Sequence, residues 1–477
     1  MILITSTGCK KYLEIPLPTD KIAGEGAYSS DRSAGATLNN IFGVLSSNVH
    51  FNGPTGIGYA TGLYTDELLN LNSNNPFNNA FYKNEVTDGY GGQLWTGFYQ
   101  QIYSANLAIE GITAATTLSK KDQWLGEAYF LRALCYFYLT NYYGDVALAT
   151  SSDFVVNKDL ARAPKAQVHQ LIIADLIKAQ SLLTNEYKDA TGAVTDLKGR
   201  PNKFTATALL AREYLYTAEW TNAEIQANNI ISTGIYQLLP AAAIDKVFLA
   251  ASTETIFNLV SRNFNQDYVA YNNNMPVTLP YNGLSWNGVA AAMNPSLVAS
   301  FETVISGSGA SVDDLRKTFW TRSSTMSAST TAPVVPAVTR YFPNKYKSST
   351  IGTENIVLFR LAEQYLIRAE ARARLNNLSA AKADLDIIRT RAGLGGTTAA
   401  SQTDLIDAVM RERRVELFAE LGHRFFDLKR TGIIDAVMNI EAPLKGVGAV
   451  WNTQKQLFPI PVYDISVNHN LVQTPGY

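Results

Sequence analysis

The chain of 477 residues is poor in charge, cysteine and histidine. Asp, Glu, Lys and Arg make up 17% of it, against roughly 25% in ordinary soluble domains. Its formal net charge is −1 with no basic stripe, so composition implies no nucleic acid or other polyanion as partner. Two cysteines permit one disulfide and exclude a disulfide framework. The four histidines, His50, His169, His423 and His469, show no metal-ligand spacing. The sequence therefore assigns no metal ligand and implies no cofactor. No Gly-rich loop leads into a helix opening with Lys-Ser/Thr, which removes the phosphate-loop enzymes. No segment approaches the roughly 18 consecutive apolar residues needed to span a membrane as a helix.

What is present is aromatic and amphipathic. Aromatics make up 11% of the chain, with 25 Tyr and 6 Trp. Low charge with abundant Tyr, Asn, Ser and Thr suits an extracellular surface meeting neutral ligands, because Tyr and Trp offer a flat apolar face with a polar handle. A chain this long buries a large core without metals or disulfides. Cys135 sits in the apolar run LRALCYFYL and reads as a small buried hydrophobe. Cys9 follows MILITSTG, with a small residue immediately before the thiol, as a bacterial lipoprotein signal requires. That leader is short and lacks a basic start. Either translation begins upstream or the cysteine is incidental.

Helical periodicity dominates two blocks. The spacing predicts a first helix over 37–49. It places Trp95, Phe98, Ile102, Ala105 and Ile109 on one face of a second, in which Trp95 is read as scaffold. Trp124–Tyr143 and Pro164–Leu183 follow, the former stopped by Gly144-Asp145. Ala206–Thr217 with Asn222–Ser232 forms a helical pair, and so does Leu361–Leu375 with Ser379–Arg391. The pairs overlay: Ala211 on Ala369, Leu215 on Ala373, Trp220 on Leu378, Ala223 on Ala381, Ile230 on Ile388. Small residues there allow close helix approach, as in tetratricopeptide units; a generic αα-hairpin has the same pattern. Residues 240–350 hold seven prolines among Gly, Asn, Ser and Tyr, and read as an irregular lobe with short strands such as Thr255–Val260. Functional surfaces favour such loops above a rigid support. The tail from Leu457 is expected to run extended.

RERRVELFAELGHRFFDLKRTG, Arg411–Gly432, is the most informative stretch. Val415, Phe418, Ala419 and Gly422 follow helical spacing, and charges three or four apart, such as Glu420 and Arg424, are placed to pair along one helix. It reads as scaffold, with Phe425, Phe426 and Leu428 tucked inward and His423 structural.

This stretch closely resembles the C-terminal signature of the SusD/RagB family, surface lipoproteins that capture nutrients for a TonB-dependent transporter. The resemblance extends across nearly the whole chain: CKKYLEIPLPTD, LWTGFYQQIYSAN, GEAYFLRALCYFYLTNYYGDVAL, WNGVAAAMNPSLVASFE, FRLAEQYLIRAEARARL and FPIPVYDISVNHNLVQTPGY. Leu421-Gly422 stands where the family has Glu-Gly, with Glu420 displaced by one residue. The resemblance implies a mainly α, SusD-like fold with tetratricopeptide-like repeats and an irregular lobe carrying short strands. Residues 1–8 would be a signal remnant, 9–35 a tether, and 36–477 one body, with helical scaffold over about 93–235 and 355–435. It implies lipidation at Cys9, display at the outer membrane, and a SusC-like channel as partner. The cargo would be an oligosaccharide, or alternatively a peptide, with no chemistry performed.

Binding residues are sought in the irregular stretches: Tyr64, Asp66, Tyr82, Tyr90, Tyr271, Tyr281, Trp286 and Trp320 are the candidates. Flat aromatics suit the apolar faces of sugars, and Asp66 their hydroxyls. Packing beneath a long loop is the competing role for each. Two other classes are weighed. A glycosidase needs two carboxylates across a cleft, and Asp66-Glu67 and Asp313-Asp314 offer pairs, though adjacent carboxylates are common on surfaces. A repeat-based adaptor would bind protein through helices that are here expected to meet the transporter.

Overall fold

The computed structural model describes residues 26–46, 50–53, 55–260, 290–305, 311–326, 336–348 and 350–477. Cys9, Tyr271, Tyr281 and Trp286 lie outside them. The described part is mainly helical, and its strands form only two-stranded antiparallel pairs.

The first helix is Asp31–Leu45, earlier than spacing alone predicts. Ser30 and Ser33 cap its start reciprocally, which satisfies two of the free N–H groups. Helices Asp88–Ala114, Lys121–Tyr143 and Lys165–Leu182 follow, the second packing between the other two. From Phe130 to Tyr143 every residue of the middle helix is buried, Cys135 included. A helix apolar on all faces must be covered on all faces, which explains its central position. Gly144, at φ +73°, ends it.

The two helical pairs are Lys203–Tyr216 with Trp220–Ile231 and Leu361–Arg374 with Leu378–Arg391. Their turns are equivalent. Ala218 and Asn376 occupy the same place in each and both adopt left-handed φ, near +60°. Glu219 N–H donates to the Tyr214 carbonyl as Asn377 N–H does to that of Arg372, both at 2.8 Å. This closure satisfies the last carbonyls of each first helix. Left-handed backbone costs an alanine about 1 kcal/mol, and at the exposed Ala218 it is the closing bond from Glu219 to Tyr214 that holds the turn. Ala211, Ala223, Ala369 and Ala381 are fully buried between the helices. Helix Leu361–Arg374 packs on Trp220–Ile231, so the second pair stacks on the first. That stacking is repeat architecture, in which each unit covers its neighbour's apolar face.

Strand Thr255–Leu259 pairs antiparallel with Ile356–Arg360, with Leu259 opposite Ile356. The segment between them therefore leaves and re-enters the scaffold at one point. Leu68–Asn70 pairs with Ala291–Met293, tying the N-terminal region to that inserted segment.

Two expectations fail here. The signature stretch is not one helix: Gln402–Glu416 ends, three left-handed residues follow (Ala419, Leu421 and Gly422), and His423–Arg430 begins afresh. A side chain at Gly422 would press on Phe426 and Thr61. The tail is not wholly extended, since Pro461 opens a short helix, Val462–Val467. Phe425, Phe426 and Leu428 are buried as expected, and so is His423.

The charges of the signature pair across elements rather than along the helix. Glu416 meets Arg316, Arg360 and Arg391; Glu420 meets Arg360 and Lys345; Glu412 meets Arg316 and Arg389; Arg413 meets Asp427. Arg424 donates to Asp66, not to Glu420.

Candidate functional site

The structure buries three of the residues sought on the ligand surface. Trp320 is fully buried because its short helix packs on the turn Ala241–Lys246, and its Nε1 donates to the Ile244 carbonyl at 2.8 Å. Its ring covers the cationic groups of Lys345, Arg360 and Arg391 at 4.9–5.8 Å. Tyr64 is also fully buried; its hydroxyl donates to the Lys455 carbonyl, and Phe81, Phe425, Trp451 and Phe458 surround its ring edge-on. Asp66 accepts two bonds from Arg424, at 2.8 and 2.7 Å, and lies 2.8 Å from Arg414. Burial would raise its carboxyl, but Arg424 and Arg414 hold it below the usual range. These three residues hold the fold together. Tyr90 is half-buried and meets Phe77 edge-on at 5.6 Å.

Neither proposed carboxylate pair spans a cleft. Asp66 and Glu67 are both buried, and Asp314 is spent on Arg316. Among the described residues, no three His, Cys, Asp or Glu side chains gather as a metal site, and no helix is long and apolar enough to cross a membrane.

Tyr82 is different. It lines a groove of about 440 Å³ with Asn294, Arg340, Glu441 and Lys445. Four stretches of chain meet there. Leu69, Asn70, Leu71 and Tyr82 line one side; Asn294 and Pro295 continue from the strand paired with Leu68–Asn70. Arg340 lies on strand Val338–Pro343, and Glu441 ends helix Ile434–Glu441. Asn294 caps the helix at Pro295 through its side-chain oxygen, while its amide donates to Glu441 at 3.2 Å. The Nε of Arg340 makes no hydrogen bond. The Lys445 ammonium sits 5.3 Å from the Tyr82 ring centre and donates to the carbonyls of Leu63 and Tyr64. Burial pulls its pKa down to about 7. Burial, then the charge of Glu441, raises the Tyr82 phenol. The groove thus sets a half-exposed aromatic face beside an amide, a carboxylate and the half-buried guanidinium of Arg340.

A second cavity, of about 250 Å³, contains Trp95, Tyr99 and Tyr103. Three of its polar side chains donate to main chain: Tyr99 to Ala147, Asn106 to Ala149 and Ser151, Asn468 to Leu160.

Arg340, Glu441 and Lys445 escape the sequence reading. Asn294-Pro295 carries a helix-start signal, and Arg340 stands in an alternating strand. Nothing local marks Glu441.

Comparison with known proteins places this arrangement in context. A model of the SusD family matches residues 183–477, and one described as starch-binding, associating with outer membrane, matches residues 48–215. SusD-like protein P25 of Formosa agariphila is 23% identical, the alignment covering 99% of this chain and 96% of that protein. The crystal structure of a SusD-like protein from Bacteroides fragilis superposes with a TM-score of 0.76 at 20% identity, covering 97% of this chain and all of that one. A laminarin-binding SusD-like protein superposes at 0.70 with 22% identity, covering 94% and 99%.

Proposed function

The chain belongs to the SusD family, and from that premise we propose that it is a non-catalytic binder capturing oligosaccharide in the Tyr82 groove. It delivers that cargo to a SusC-like TonB-dependent transporter at the outer membrane. The observation carrying this reading is the groove itself, where an aromatic ring stands beside Asn294, Glu441 and Arg340. Sugars need both kinds of surface: an apolar platform for C–H faces and oriented polar groups for hydroxyls. The laminarin-binding neighbour supports the ligand class, and the starch-binding, outer-membrane description of the family model supports the setting. Trp286, four residues before Ala290 in sequence, is a further binding candidate, with Tyr281 and Tyr271.

A glycan and peptide array with the purified chain tests the ligand class, followed by calorimetry. Tyr82→Ala and Arg340→Ala are each expected to weaken saccharide binding about tenfold, equal to about 1.4 kcal/mol, with unchanged melting. Wild-type affinity in both variants would move the site elsewhere. Peptide capture without glycan capture would turn the reading to oligopeptide uptake.

Anchoring is proposed to rest on lipid at Cys9. One acyl group holds a protein only marginally, so stable anchoring needs a multiply acylated cysteine. Cys9→Ala expressed with its native leader is expected to move from the membrane fraction to the soluble one. Retention after a high-salt wash would refute the anchor.

A further inference from the structure

Another cavity, of about 630 Å³, lies beside the saccharide groove and differs in chemistry. Its wall carries Arg374, Arg411, Arg414 and Arg424 against one carboxylate, Asp407. Arg414 joins the two sites: it donates to Ser296, which lines the groove, and to Ser300, which lines this cavity.

Two of the four arginines have structural work. Arg424 forks onto Asp66, and Arg414 shares that carboxylate. The other two are less committed. Arg411 is exposed and makes no hydrogen bond or close ion pair with any described residue, although its charge acts on Glu302. Arg374 lies over the Trp220 ring at 5.2 Å and approaches Glu370 at 3.8 Å, whose oxygens already receive both guanidinium arms of Arg430. The Nε atoms of Arg374 and Arg414 are buried with no partner. Buried N–H donors are normally satisfied, and these two have no open surface of their own; the guanidinium of Arg411, exposed on the same wall, is the one free to meet a ligand that accepts. Asp407 is the one carboxylate in the cavity lining, while Asp66, Glu302 and Glu370 act on the arginines from behind it, so the lining itself carries more positive than negative charge. Concave walls of low dielectric focus such a field. Guanidinium matches planar or tetrahedral oxyanions through paired N–H donors.

We propose that this cavity binds an oxyanion, the sulfate or carboxylate group of a charged saccharide. The identity of the carrier rests on the saccharide reading; the anion site itself does not.

The test uses the whole chain at low ionic strength. Inorganic sulfate is titrated by calorimetry, and a sulfated oligosaccharide is compared with its desulfated counterpart. A uronate-bearing oligosaccharide and its reduced neutral form make the second pair. The wild type is expected to bind inorganic sulfate, and to prefer at least one charged form by tenfold or more, with the preference falling as salt rises. Arg411→Gln alone, at an exposed and unpaired position, is expected to reduce that preference several-fold. Arg374→Gln with Arg411→Gln is expected to abolish it. Tyr82→Ala should weaken charged and neutral forms equally and leave the preference intact. Sulfate binding without any saccharide binding would sink the groove and leave this site standing. Equal affinity for charged and neutral forms, together with no sulfate binding, would overturn the proposal, as would full preference in a folded double variant.

Discussion

Glu416→Ala is expected to lower stability by about 3–5 kcal/mol, a large share of the roughly 5–15 kcal/mol that holds a typical fold together. The Glu416 carboxylate is fully buried and accepts from three guanidiniums. Arg360 approaches at 2.5 Å, Arg316 at 3.0 Å, and Arg391 completes the set. Glu254 bridges Arg360 and Arg391 at 2.9 and 2.7 Å, and Asp314 forks onto Arg316. Each member is paid for by the others, because a lone charge in this interior has no water to turn to. Deleting Glu416 takes one carboxylate from three buried cations at once and leaves them to Glu254, Asp314, Glu412 and Glu420. The three cations come from separate places: Arg316 in the inserted segment, Arg360 at its closing strand and Arg391 in the second helical pair. Loss of the centre therefore loosens the seam between scaffold and insertion.

The pH dependence has a defined sign. Burial would raise the Glu416 carboxyl, but Arg391, Arg360 and Arg316 more than reverse this and hold it well below its ordinary value of 4.5. A carboxylate depressed in the folded state stabilises above its unfolded pKa, and that stability is lost as pH falls through the folded value. Glu420 and Asp427 shift the same way. The wild type should weaken in acid below about pH 4.5. Glu416→Gln should weaken it less steeply, since one depressed carboxylate is gone. Urea unfolding from pH 3 to 7 reads both effects. A Glu416→Ala midpoint equal to wild type would refute the central role of this residue.

These ion pairs show what is legible in sequence and what is not. The helices, the overlay of the two pairs and the inward Phe425 and Phe426 follow from local periodicity, because each helix carries its own apolar stripe. The overlay even anticipates the matched turns at Ala218 and Asn376. The break after Glu416 does not follow. Val415, Phe418 and Ala419 keep helical spacing through it, and only left-handed backbone at Ala419, Leu421 and Gly422 departs. Charge spacing in the signature fits local pairing equally well, but burial selects partners such as Arg316, about a hundred residues away. Aromatic content likewise identifies Trp320 and Tyr64 as notable without saying which way they face. Trp320 was sought as a sugar platform because it lies in irregular chain; it is a platform, but for Lys345, Arg360 and Arg391. The groove around Tyr82 draws Arg340 and Glu441 from segments whose proximity is purely tertiary.

Glu67→Gln is expected to act in the opposite direction and stabilise the protein by about 3 kcal/mol above pH 7. Glu67 is buried between helix Ile57–Tyr64 and strand Leu68–Asn70. Its neighbour Asp66 takes both arginines, Arg424 and Arg414, so Glu67 is left with the Ala419 N–H at 3.3 Å. Burial first, then the Asp66 charge, pushes its carboxyl from 4.5 up to about 7. Here the folded state holds the proton that the unfolded state releases. Stability is therefore intact below about pH 4.5, falls as pH rises toward 7, and stays reduced above it. Glutamine keeps an acceptor for Ala419 and removes the ionisation. The stability difference between variant and wild type should then be small at pH 5 and grow by about 2–3 kcal/mol by pH 8. Comparing the two proteins at each pH cancels the titration of Glu416 and the other depressed carboxylates. A difference that stays constant across this range would show that Glu67 ionises normally in the fold. A difference that grows would identify one buried carboxylate, left unpaired beside a doubly paired one, as the point where rising pH loosens the contact between the N-terminal region and the left-handed turn of the signature.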